Sequence, residues 1–489
     1  MLVPDHNSDD LRAWFGLDGA TLATLREHRL LDDRSADGEL RHFSADRRRP
    51  WHASAFLRPW TVVCCRPMIL NGVPWFDDRG EVVNAHGACL VDHEGRYYLF
   101  GEHKTDDVNR FDGVGCWSSA DLEHWTFERV VLPVQPDGPL GPDRVGERPK
   151  VMRCPATRRF VMYVHADDLG YTDPLVAVAT CDTVAGEYRW HGPLVHQGEP
   201  VRRWDIGAFQ DDDGTGYLLV HEGDVYRLGD DYLTAEEKVA ENLAPGGESP
   251  AMWRSDDGYH LLMSRKTSWE RNDNEVLTAP SVHGPWRHAG LLAPEGTLTH
   301  NSQCSFVARV RRGDDVVPMY LGDRWSFPHQ ASAATQVWLP LLTDGGPARL
   351  GEYWPAWDPA TGEPVPLDRD AAGAVAAVDA PFRSAGPGDR LEVDLEGARF
   401  AVVGTSDDES GYARVELLDD GRVETSHLVD FYSKVPDTGP RYVSPVLPAG
   451  RWTLRVTPTG EVPTWSQKDG TRFGSTGSRV TVHRVLVLA

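Results

Sequence analysis

The feature that most constrains the fold is a strand–turn–strand pattern that returns five times between about residues 83 and 342. The segments are NAHGACLVDHEGRYYLF, ERPKVMRCPATRRFVMYV, WDIGAFQDDDGTGYLLV, ESPAMWRSDDGYHLLM and NSQCSFVARVRRGDDVVPMYL. Each opens on polar residues, runs into an apolar strand, turns, and gives a second strand that is often aromatic. Further strand-like stretches follow, such as GVGCWSSADLEHWTFERVVL and LVAVATCDTVAGEYRW. Helical periodicity is nearly absent. Four-stranded units at a spacing of roughly 45–60 residues predict an all-β chain built on a five-bladed β-propeller.

The remainder of the chain divides around that repeat. Residues 1–75 are expected to be a lead-in packed on the propeller, with LRAWFGL and TLATLREHRLL each able to form a short amphipathic helix. The propeller is expected over 76–357. The Pro, Gly and Ala content marks 358–375 as a linker. From 376 to 489 short alternating strands return, as in RLEVDLEGARFAVVG and RVTVHRVLVLA, and predict a C-terminal β-sandwich of jelly-roll type.

The formal charge of −24 argues against nucleic acid or an anionic membrane as partner, since both need basic patches. No apolar run reaches the length of a membrane span. The N-terminus carries no secretory signal pattern, so a cytoplasmic location is expected unless a leader has been trimmed. Seven cysteines with no CxxC pair and no zinc spacing fit core thiols in a reducing compartment. Oligomeric state is left open.

In a propeller the first strand of each blade lies beside the axis, and residues at its start point into the central funnel. Here those positions are Asn84 and His86, Glu147 and Arg148, Asp205, Glu248, and Gln303. Carboxylates converging in a concave mouth suit a site that cleaves glycosides. The plainer reading is that such residues cap strand ends or bridge blades, and for any one of them alone it carries equal weight.

The motifs NAHGACLVDHEGRYYLFGEHK, ERPKVMR, WDIGAFQDDDGTGYLLV, GGESPAMW, NSQCSFV and MYLGDRW, in this order, resemble glycoside hydrolase family 43. Within it they resemble the branch of exo-β-1,3-galactanases and related β-D-galactofuranosidases and α-L-arabinofuranosidases. The resemblance implies an inverting hydrolase on a five-bladed propeller. It assigns Glu248 as general acid and Asp205 as the carboxylate that sets its pKa. The family's usual first-blade aspartate is missing, with Asn84 and His86 standing there instead. The galactanase branch shares that loss, and the resemblance implies that Gln303 handles the nucleophilic water and that Glu102 contacts the sugar.

Inversion needs a proton donor for the leaving oxygen and a water on the opposite face of the sugar. Asp205 beside Glu248 would keep the acid protonated by like-charge repulsion, and burial would add to it. An amide such as Gln303 can orient a water, and in a rare imidic tautomer its nitrogen could accept a proton. Glu102 is the rival base, although an ion pair with Lys104 or Arg148 would account for it as well. Asn84, His86, Arg148, Trp204, Trp269 and Trp325 are expected to bind substrate, the tryptophans by stacking on sugar faces. No metal ligand set and no cofactor motif is found. Asp211–Gly214 mimics part of a calcium loop but reads better as an acidic hairpin turn, and a structural calcium ion is left open. The expected partner is an oligosaccharide or polysaccharide. The rival of another class is a glycan-binding propeller that has lost catalysis.

Overall fold

The computed structural model describes residues 67–488, apart from Asp107, 368–373, Ala385 and 467–468. These residues belong to one compact unit, Val63–Ala489. The proposed N-terminal helices, Cys64 and Cys65 lie outside the described residues.

The chain is all-β, and its described helices are single turns such as Leu298–Asn301 and Gln330–Ala333. Each of the five repeated segments supplies the first two strands of its own sheet, paired antiparallel. The first strands are His86–His93, Arg144–Arg153, Ile206–Gln210, Gly247–Ser255 and Gln303–Arg312. The turns that separate first from second strands are the acidic or polar stretches read from the sequence. In Asp211–Gly214, for example, the Asp213 carboxylate accepts from the Thr215 N–H, and the Asp211 carboxylate accepts from Arg254 and Tyr259.

The five first strands touch in sequence order, and the fifth touches the first, so the sheets close into a ring. Between adjacent sheets lie apolar clusters. One holds Phe100, Val114, Val151, Met162 and Ala177 from the first and second sheets. Another holds Trp253, Leu262, Cys304 and Val337 from the fourth and fifth. Side chains alternate across a strand, so a strand of the ring buries both its faces between neighbouring sheets.

The ring's termini are held together by Ile69–Leu70, which pairs antiparallel with Ala356–Trp357. A cluster of Trp75, Trp125 and Trp338 packs nearby, with Trp75 edge-on to Trp338 at 4.7 Å. Beyond residue 374 two four-stranded antiparallel sheets enclose a core of Phe400, Val402, Val415, Leu417, Tyr442, Leu454 and Val485. In Gly450–Pro458 apolar residues alternate strictly with outward ones, the pattern expected of a sheet with one buried face. The five cysteines among the described residues are free, and four are fully buried.

Candidate active site

Four of the five first strands carry a register irregularity within their first few residues: after His86, Glu147, Glu248 and Cys304. A bulge there re-aims the side chain that precedes it. The backbone turns left-handed at matching places, at Gly87 (φ +58°), Arg148 (+50°), Asp205 (+43°) and Ser249 (+53°). Non-glycine residues rarely hold that conformation, and such strain collects at functional sites. Gly87 is required for a second reason. A Cβ there would lie 2.2 Å from Glu102 Oε1 and 2.9 Å from the Arg148 backbone.

These starts surround a cavity of about 710 Å³ lined by Glu102, Glu147, Arg148, Asp205, Glu248 and Gln303, with Trp204, Trp269 and Trp325. At its floor Arg148 is the hub. Its Nε donates to Asp205 Oδ1 at 2.9 Å, its Nη2 to Gln303 Oε1 at 2.8 Å, and its backbone N–H to Glu102 Oε1 at 2.8 Å. Asp205 Oδ2 accepts from the Ser249 N–H and hydroxyl, at 3.0 and 3.1 Å.

Glu248 accepts a hydrogen bond on Oε1 from Gln303 Nε2, at 2.8 Å. Burial, reinforced by the Asp205 charge, pushes its carboxyl up to about 8. The group is therefore predominantly protonated at pH 7, and with Oε1 engaged as acceptor its proton belongs on Oε2.

Gln303 Oε1 also accepts from the Trp325 indole N–H at 2.8 Å. Arg148 and Trp325 are donors only, so the atom facing them is the carbonyl oxygen. An imidic tautomer would set an O–H against these two donors. The surroundings thus hold Gln303 as an ordinary amide, and the tautomeric route considered from sequence is disfavoured. Trp325 is 2% exposed and positions Gln303, which leaves the half-buried Trp269 and Trp204 as the platforms available to a sugar. Trp204 is itself backed by His221, stacked at 3.4 Å.

Asn84 and His86, expected to bind substrate, lie behind the cavity wall. The Asn84 amide donates to the Lys104 carbonyl at 2.7 Å. His86 is 1% exposed and faces Asp323 at 3.8 Å. Those partners hold both side chains away from the cavity that Glu147 and Glu248 enter from the matching places of their own strands.

A buried ion network on one wall was not foreseen beyond its first pair. Lys104 Nζ lies 2.7 Å from Glu102 and 3.4 Å from Glu147, and sits 5.5 Å from the Trp269 ring centre. Glu147 also meets His165 Nδ1 at 3.2 Å and the Tyr171 hydroxyl at 2.8 Å. Burial alone would raise Glu147, but Lys104 and His165 hold it well below the usual carboxylate range. Burial alone would lower His165, but hydrogen bonds to Asp167 and Glu147 outweigh it and push it up to about 9.

This predicts a pH effect on stability. A histidine whose folded pKa lies above its unfolded 6.5 stabilises fully below pH 6.5, and loses that contribution as pH rises through about 9. His165→Gln is expected to flatten the fall in melting temperature over that window, read by thermal unfolding at a series of pH values.

Glu147, His165 and Asp205 offer ligand atoms within 4.8 Å of one another. Each already has a partner in the chain: Glu147 has Lys104 and His165, and Asp205 has Arg148. Two buried cations beside this donor set disfavour a divalent ion.

The model "Glycosyl hydrolases family 43" matches residues 83–305, the stretch that carries four of the five first strands and reaches Gln303 of the fifth. A solved structure described as "putative exo-beta-1,3-galactanase from Bifidobacterium bifidum s17" is 37% identical, covering 58% of this chain and 96% of that one, with a TM-score of 0.54. The chain belongs to glycosyl hydrolase family 43. This family 43 chain also shares its fold with the exo-beta-1,3-galactanase of Phanerochaete chrysosporium solved with galactose. That likeness has 23% identity and a TM-score of 0.64, and covers 86% of this chain and 99% of the other. A curated relative, the "Xylosidase/arabinosidase" of Thermoclostridium stercorarium, is 36% identical over 104 residues. The match spans only 20% of this family 43 chain and 21% of that relative's length.

Proposed function

We propose that this family 43 chain is an inverting, exo-acting glycoside hydrolase that releases terminal galactose from β-1,3-linked galactan or galacto-oligosaccharides. In this reading the five sheets of the ring are the blades of a five-bladed β-propeller. The C-terminal pair of sheets is a β-sandwich of jelly-roll type.

The observation that carries the hydrolase reading is Glu248, an acid kept neutral at pH 7 by burial and by Asp205, opening into a cavity. A protonated carboxyl at neutral pH is what departure of a sugar oxygen requires. Asp205 tunes it, and Gln303 fixes the orientation of its carboxyl through Nε2. Glu102, which also lines the cavity, takes the water side. The 37% identity to the Bifidobacterium protein supports galactose as the sugar released.

A furanoside substrate is the second reading, favoured by the 36% identity to the xylosidase/arabinosidase. Rates on nitrophenyl β-galactopyranoside, β-galactofuranoside and α-arabinofuranoside, alongside β-1,3-galactan, decide between them. Galactose released one unit at a time from the galactan, first as the α-anomer by NMR, is the expected result. Turnover of furanosides alone overturns the galactanase reading, and glycan binding with no turnover overturns hydrolysis.

A further inference from the structure

The catalytic cavity has a wall from outside the ring. Ser466 and Asp469 line it together with Glu248 and Asp205, and they belong to the C-terminal module. They lie on a hairpin in which Thr464–Ser466 pairs antiparallel with Arg472–Gly474. Both residues are exposed, whereas Asp205, Gln303 and Arg148 are buried. The hairpin therefore stands at the mouth of the cavity and the acid machinery at its floor.

The hairpin is seated on the very loops that shape the site. Trp465, 5% exposed, stacks on Phe473 and meets Tyr432 edge-on at 6.3 Å. The Tyr432 hydroxyl donates to Glu270 Oε2 at 2.7 Å, next to Trp269. The Thr464 N–H donates to the Phe327 carbonyl at 3.2 Å, and the Phe327 ring lies parallel to Trp269 with centres 6.1 Å apart. Ser326, which follows Trp325, bonds Tyr412 and Asp430 of the same module. Buried aromatic and hydrogen-bonded anchors of this kind fix a surface in place.

We propose that this hairpin forms the leaving-group side of the active site, with Asp469 and Ser466 holding hydroxyls of the sugar beyond the cleaved bond. The inference rests on the exo-acting hydrolase reading. When the terminal sugar occupies the floor beside Glu248, the rest of the glycan leaves through the mouth, past these two residues. A carboxylate accepts hydrogen bonds from sugar hydroxyls, and a serine hydroxyl can donate or accept. The C-terminal module is then a part of the catalytic pocket, distinct in role from a detached glycan-binding unit.

The test uses the full chain with Ser466→Ala and Asp469→Ala combined. The substrates are a nitrophenyl glycoside and an oligosaccharide of whichever glycone the substrate panel identifies. The ratio of kcat/KM for oligosaccharide to that for nitrophenyl glycoside is expected to fall about tenfold, the loss of one to two hydrogen bonds. The change should lie mainly in KM. Both side chains are exposed, and Asp469 accepts from the Thr471 N–H at 2.9 Å within its own turn. Asp469→Asn keeps that acceptor, so this variant should hold the melting temperature and recover part of the ratio. An unchanged ratio, or an equal loss on both substrates, overturns the proposal. If the wild type turns over nothing in the panel, the hydrolase reading fails by itself. The hairpin is then judged by affinity for β-1,3-galactotriose, and a Kd unmoved by the double variant overturns it.

Discussion

Glu248→Gln is expected to lower kcat on a galacto-oligosaccharide about 10³-fold, within the range that general acid catalysis supplies. The substitution keeps the size of the side chain and its contact with Gln303, so KM should change little. The same variant should lose far less on a dinitrophenyl glycoside, whose leaving group departs as a stable anion and needs no proton. The contrast between the two leaving groups separates lost acid catalysis from a damaged pocket. The pH profile gives a second signature. With the carboxyl at about 8, the wild-type kcat/KM should fall as pH rises through that value, because the ionised form has no proton to give. In the glutamine variant this limb should disappear. Equal losses on both leaving groups, or a basic limb that survives the substitution, would remove Glu248 from the acid role.

The ring was legible in the sequence because its signals are local. Turn residues in DHEG, DDDG and SDDG fall between apolar strands, and both the strand period and the turn chemistry are written within a few residues. The same locality made the strand starts visible as a set, and the structure brings Glu147, Arg148, Asp205, Glu248 and Gln303 to one cavity. What sequence could not register is the partner each side chain meets: Asn84 and His86 read as funnel residues, yet the Lys104 carbonyl holds Asn84 and Asp323 faces His86 behind the wall. The glycine of NAHG was the available signal, since a left-handed turn pressed against Glu102 requires one.

Other features depend on distance along the chain. Lys104 reaches Glu147 and, through it, His165 only because the first and second sheets are neighbours in the ring. Trp325 reads as a sugar platform from its place at the end of MYLGDRW, but the fold leaves it 2% exposed with its N–H on Gln303. The hairpin that carries Ser466 and Asp469 lies more than a hundred residues beyond the last strand of the ring. Nothing local to that hairpin announces a catalytic wall, because the message lies in the docking of Trp465, Tyr432 and Thr464 against the site loops.

Asp205→Asn is the second large effect, expected at about tenfold in kcat on an oligosaccharide at pH 7, the change in protonated fraction when the Glu248 carboxyl drops about two pH units from about 8. Asparagine tolerates the left-handed backbone that Asp205 adopts, so the loss should be electrostatic. Asp205 at present raises the Glu248 carboxyl while the Arg148 charge lowers it. Removing the carboxylate deletes the first influence and leaves burial alone to oppose the second. Glu248 then ionises at lower pH, and the basic limb of kcat/KM should move down from about 8 by more than one pH unit. The hydrogen bonds worsen in the same direction. Arg148 donates to Oδ1 and Ser249 donates to Oδ2, so the amide nitrogen of an asparagine must face a donor on one side. The variant should also lower the melting temperature, because Arg148 is left partly unpaired in a buried place. On a dinitrophenyl glycoside the kinetic loss should be small. A basic limb that stays near 8 would show that burial alone holds Glu248 protonated, and would leave Asp205 as a clamp for Arg148.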